Sequence, residues 1–189
     1  MRLRAAIVAV GFLTPTGASA TIDEQASLSA MRKFQQISEQ TLPSGTTVEF
    51  SEDELNAFLQ FHGSPLVPDA VQGPELELRD GGAEFRAQIE LSEAASASDS
   101  LPWMMRLLLR GTRAVAVDVD YSVREGRASA EIVRLTIEGV EIPGDVLEWL
   151  LEFYAPPELK PFLSGEQQEV GLGLRELRIL EGLAVATVE

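Results

Sequence analysis

Between Ala26 and Thr41 the apolar residues Leu28, Met31, Phe34 and Ile37 recur at every third position. That spacing predicts an amphipathic helix, ended near Pro43-Ser44-Gly45. A short strand, Thr46 to Phe50, runs into Ser51-Glu52-Asp53-Glu54. Ser51 and Glu54 have the form of a capping box, in which hydroxyl and carboxylate satisfy each other's free backbone N–H. The helix that follows is expected to bury Leu55, Phe58, Leu59 and Phe61 and to stop at Gly63-Ser64-Pro65. The period then changes to two. Glu75 to Asp80 turns through Gly81-Gly82 into Glu84 to Leu91, where Phe85, Ala87, Ile89 and Leu91 alternate with polar residues, as in half-buried strands. Ser92 to Ser100, rich in Ser, Ala and acids, reads as a loop.

Leu101 to Arg110 predicts a short, strongly apolar helix, with Pro102 in its first turn and Gly111 as its stop. Two long strands follow. Val115, Val117, Val119, Tyr121 and Val123 share one face, and Arg124-Glu125-Gly126-Arg127 makes the turn. On the return strand Ala128, Ala130 and Ile132 give way to Val133, Leu135 and Ile137, a slip of one residue that predicts a β-bulge. A strand ending Val140-Glu141-Ile142 then leads into an apolar helix through Pro143-Gly144-Asp145, and Pro156-Pro157 ends it. After a segment around Leu159 to Leu163, two last strands are separated near Glu181-Gly182 and close with Leu183, Val185 and Thr187 in alternation.

Aligned without gaps, residues 48–59 and 140–151 are identical at five of twelve positions, and each segment precedes a Pro-containing loop and a hairpin. Two strand–helix–strand–strand units flanking a central hairpin are one reading of this; chance similarity is the other. Both predict the same class, an α+β domain with a curved antiparallel sheet packed on helices.

At the N-terminus Arg2 and Arg4 precede an apolar run, Ala5 to Leu13, then Pro15, Gly17 and Ala18-Ser19-Ala20. This order reads as a cleaved secretory signal over 1–20, leaving one domain over 21–189 in the periplasm or outside the cell. The run is too short for a stable transmembrane span, which needs about 20 apolar residues. With no cysteine, the exported chain depends on its core alone. Loss of Arg2 and Arg4 leaves 13 basic residues against 30 acids, a net charge of −17. Such a balance repels nucleic acid and bulk anionic membrane. Residues 101–134 depart from it, with six arginines against four acids. These arginines either decorate a solvated hairpin and helix or form a local platform for an anionic head group.

His62 is the only histidine, so any imidazole mechanism must use it; its place at a helix end favours a dipole interaction instead. One His and no Cys argue against zinc. Asp118 and Asp120 share a strand face but stand in no Asp/Asn-rich loop of the calcium-binding kind. Gly171-Leu172-Gly173 lacks the third glycine of a dinucleotide loop and suits a weakened or bulged strand. No metal, cofactor or catalytic residue is expected. What remains is apolar. Trp103, Met104, Met105, Leu107, Leu108 and Leu109 nearly surround their helix, with Arg106 and Arg110 as a polar edge. Trp149, Phe153 and Tyr154 form a second cluster. These side chains are either ordinary core or the lining of an apolar groove. In the second case Trp103, Met104, Leu107, Trp149 and Phe153 contact the ligand, while Arg106, Arg110 or Arg113 meets an acidic head.

The segment Val48 to Leu59, and the later order of a strand ending Val140-Glu141-Ile142-Pro143, an apolar helix and a final hairpin, resemble several exported bacterial families. Those families resemble single-domain members of the tubular lipid-binding superfamily, whose larger relatives include bactericidal/permeability-increasing protein. The resemblance implies a long, highly curved antiparallel sheet wrapped on a helix, with an apolar groove for lipid. It carries over no individual functional residue. The acidity of this chain departs from the Arg-rich surfaces of some members. The expectation is an exported, non-enzymatic protein that binds lipid or another apolar small molecule. The alternative is an adaptor that binds another envelope protein through an apolar face.

Overall fold

The computed structural model describes residues 24–62, 70–93, 103–154, 160–169 and 173–189, without the side chains of Phe153 and Tyr154. The expected signal over 1–20, most of the 92–100 loop, Pro156-Pro157 and Gly171-Leu172 lie outside the described residues. The helices are α1 (Glu24–Ser38), α2 (Glu52–His62), α3 (Trp103–Leu108), α4 (Gly144–Tyr154) and α5 (Lys160–Leu163). The strands are β1 (Thr47–Ser51), β2 (Val71–Arg79), β3 (Gly82–Glu90), β4 (Thr112–Arg124), β5 (Arg127–Ile137), β6 (Val140–Glu141), β7 (Gln168–Glu169), β8 (Leu174–Leu180) and β9 (Leu183–Val188). All nine join one antiparallel sheet, curled into a half-barrel, so the α+β class read from the sequence holds.

The long strand β4 organises the sheet. Residues 112–120 pair with β3, and Val123 and Arg124 pair with β8 beyond the end of β3. The path therefore forks, with β3–β2 on one branch and β8–β9–β1 on the other. At the fork the tip of the β2–β3 hairpin is wedged in. The Gly81 N–H donates to the Ile179 carbonyl and the Gly81 carbonyl accepts from the Tyr121 N–H. A Cβ at Gly82 would lie 2.4 Å from the Val119 carbonyl oxygen, so only glycine fits there. The opposite edge of β4 carries β5, whose register against it shifts between Asp118 and Val119. This is the expected bulge: Ile132 and Leu135 both stay on the inner face, and Val133 is turned out. Glu125 and Gly126, both at positive φ, make the tight β4–β5 turn.

The curl brings β2 round to α2 and the β8–β9 turn. Asn56 donates from its amide to the Leu76 carbonyl and accepts from the Leu76 N–H, both at 2.8 Å. Glu52 accepts from the Leu78 N–H at 2.7 Å, and the Gly182 N–H donates to the Leu78 carbonyl. Two side chains one helical turn apart thus serve the β2 edge as a neighbouring strand would. The order strand–helix–strand–strand does recur, as β1–α2–β2–β3 and as β6–α4–β8–β9 with α5 and β7 inserted. The pairing does not: β1 lies on β9, whereas β6 lies on β5.

The inner face holds two apolar clusters. Ala30 and Ile37 of α1 and Leu59 of α2 pack with Phe50, Leu76, Leu78, Val123 and the buried face of β9. Leu109 and Val146 and Leu150 of α4 pack with Leu91, Val115, Leu135, Ile137 and Ile142. In several places the buried residues are smaller than the periodicity suggests. The most buried positions of α1 include Ser27 and Ala30, with Leu28 and Met31 half-buried, because α1 lies close against α2. On β9 it is Ala184, Ala186 and Val188 that are buried, the opposite phase to Leu183, Val185 and Thr187. Phe61, expected in the core, is 46% exposed.

Candidate functional site: an exposed apolar edge on α3

The helix read as Leu101 to Arg110 is described from Trp103 and ends at Leu108. Gly111, at positive φ, turns the chain into β4, and the Arg113 guanidinium donates to the Leu108 carbonyl at 3.1 Å, closing the helix C-terminus. The Gly111 N–H donates to the Ser92 hydroxyl, and its carbonyl accepts from the Leu91 N–H. The end of α3 is thus tied to the end of β3.

Successive residues of a helix are about 100° apart, which places Met105, Leu108 and Leu109 on one side and Trp103, Leu107 and Met104 on the other. The first side is anchored: Leu109 is fully buried, and Met105 and Leu108 pack on the second cluster. The second side faces outward, with Trp103, Met104 and Leu107 exposed by 69, 58 and 55%. Of the two readings open to this helix, these three side chains are not core. Three large apolar groups side by side on one turn and a half differ from the scattered exposed apolar residues of ordinary surfaces, such as Val133 and Leu180.

Arg106 and Arg110 fall along one flank of this edge. Neither makes an ion pair with a described residue, whereas Arg134 is held by Asp118 at 2.6 Å and Arg113 caps α3. The arginine-rich stretch is therefore divided. Arg134 and Arg113 are structural, Arg124 and Arg127 lie exposed at the β4–β5 turn, and Arg106 and Arg110 stand beside the apolar edge. Trp149 of α4, the other aromatic expected at a ligand, packs half-buried against the second cluster and is part of the core. The Phe153 side chain lies outside the described residues. Trp103, Met104, Leu107, Arg106 and Arg110 thus come together on and beside α3, while Trp149 packs on the second cluster.

The other face of the sheet is charged. Glu77, Glu84 and Asp118 lie in one cross-strand row ending at Arg134. Arg79 bonds Glu77, Glu84 and Asp118, and Arg86 bonds Glu84 at 2.8 Å and Glu77 at 2.6 Å. Arginine hydrogen bonds, from Arg79 and then Arg86, hold the Glu77 carboxyl below the usual carboxylate range. Asp118, considered with Asp120 for calcium, spends its oxygens on Arg79 and Arg134. Two shallow depressions of about 300 and 280 Å³ lie on this face, lined in part by Arg86, Ala114 and Ala116 and by Arg79, Asp118 and Arg134 respectively. His62 ends α2 as expected, its ring 5.7 Å from that of Phe58. No sequence signal marked the charged row, because its members come from four strands. In comparisons with known proteins, no family model, curated protein or solved structure matches this chain.

Proposed function

We propose that this chain is an exported, non-enzymatic protein of the bacterial envelope that binds lipid or another hydrophobic ligand, with the outer edge of α3 as its contact. The observation that carries the reading is the exposure of Trp103, Met104 and Leu107 on a helix whose other side is locked into the core. Apolar edges of this kind gain free energy when they leave water, by about 25 cal/mol per Å² covered. Arg106 and Arg110, which make no ion pair with a described residue, supply cations for an acidic head group beside it. Of what the resemblance to tubular lipid-binding proteins implies, the strongly curved antiparallel sheet supports this reading.

Because the edge lies on the surface, an envelope protein could also dock there, which is the adaptor reading. Native mass spectrometry of the protein exported by a bacterial host, paired with organic extraction, separates the two. A phospholipid or fatty-acid adduct is expected. A bare mass together with a stoichiometric protein complex would overturn the lipid reading in favour of the adaptor.

A further inference from the structure

Resting on the lipid-binding reading, we infer that α3 is a wedge that inserts into the surface of a zwitterionic phospholipid layer. Trp103, Met104 and Leu107 enter the boundary between head groups and acyl chains, and Arg106 and Arg110 take lipid phosphates. Three features of the molecule lead to this mode. First, the exposed edge is convex and short. Among the described residues it offers no concave wall for an acyl chain, and the space behind it is filled by packing, with Leu109, Val146 and Leu150 buried together. Insertion covers a convex edge on all sides at once. Second, the side-chain types suit an interface. Tryptophan has an apolar body and one N–H donor, which places it at head-group depth. Arginines on the flank can lay their methylene stems on the apolar boundary while the guanidinium stays among phosphates.

Third, charge selects the kind of surface. The whole chain carries a formal −15, so an acidic bilayer repels its body even as it attracts the two arginines at the edge. A zwitterionic layer offers the same phosphates with no net surface charge. The wedge is also anchored at its C-terminal end, since the Arg113 bond to Leu108 and the Gly111 bond to Ser92 tie that end to the sheet. Little ordering is then left to be done on insertion.

The test is co-flotation of the exported protein with vesicles of phosphatidylcholine and phosphatidylethanolamine, alone or with increasing phosphatidylglycerol. The expected result is flotation with the zwitterionic vesicles and a blue shift of emission that disappears in Trp103→Phe. Met104→Ser with Leu107→Ser should lower partitioning about tenfold or more at unchanged thermal stability, since both side chains are already exposed. Arg106→Glu with Arg110→Glu should lower it as well. Added phosphatidylglycerol should weaken binding at low salt, and salt should restore it. Binding that strengthens with phosphatidylglycerol would overturn the inference. So would failure to float with any vesicle. In that case a lipid adduct in native mass spectrometry would leave the lipid-binding reading standing, and its absence would remove both.

Discussion

At the residue scale, the fold depends on a few positions where geometry leaves one choice. A methyl group at Gly82 meets the Val119 carbonyl, a backbone atom held in the β3–β4 ladder that cannot give way as a side-chain tip would. Gly82→Ala is expected to cost about 1–3 kcal/mol through overpacking, read from urea denaturation. Ser51 and Glu54 form the capping box visible in the sequence: the Ser51 hydroxyl accepts from the Glu54 N–H at 3.1 Å, and Glu54 accepts from the Ser51 N–H at 3.0 Å. Ser51→Ala should cost about 1 kcal/mol. Not visible was the second use of Glu54, which accepts from Lys33 and from Ser29 of α1, each at 2.6 Å, and so joins two helices. Burial alone raises the Glu54 carboxyl, but Lys33, Ser29 and the Ser51 N–H outweigh it and hold the group below its ordinary value. A carboxylate lowered on folding contributes its stability above the ordinary carboxylate range and loses it as pH falls through the folded value. Glu54→Gln should therefore flatten the acid side of the stability–pH profile, measured by thermal denaturation across that range.

At the element scale, α3 and α2 each divide labour between opposite sides. In α3 the apolar residues look alike in sequence, yet their substitutions should separate cleanly. Leu109→Ala should cost about 2–5 kcal/mol, as for a fully buried leucine, while Leu107→Ala should leave the melting temperature near that of the parent. Thermal denaturation of the two variants checks this directly. In α2, Leu59 faces the core, while Glu52 and Asn56 serve the β2 edge. Asn56→Ala leaves the Leu76 N–H and carbonyl without their partner, an expected loss of about 1–3 kcal/mol. An unguarded strand edge should also raise aggregation at the thermal midpoint, seen by light scattering.

At the scale of the whole molecule, the sheet separates an apolar inner face from a charged outer one, and each must be satisfied across strands. Three carboxylates in one row, Glu77, Glu84 and Asp118, would repel one another without the arginines between them. Arg79 touches all three and Arg134 only Asp118. Arg79→Gln should thus be more destabilising than Arg134→Gln, and the difference should shrink in high salt; paired urea titrations would show it.

Period and caps were legible from the sequence alone. The half-buried strands, the bulge at Val133, the capping box and the helix entering at Pro143-Gly144 are local consequences of side-chain alternation and backbone hydrogen bonding, and they follow from neighbours a few residues apart. Of the site, the sequence marked an apolar helix bearing arginines but left its exposure open, because that depends on what packs against each side. Only the tertiary structure decided that Leu109 is core and Leu107 surface, that Trp149 stays in the core, and that alanines fill the buried face of β9. It also decided that Arg134 is spent on Asp118 while Arg106 and Arg110 are left beside the exposed edge. The reason is physical: periodicity fixes which residues share a face, but the curl of the sheet fixes how near the next layer comes and therefore which face is covered.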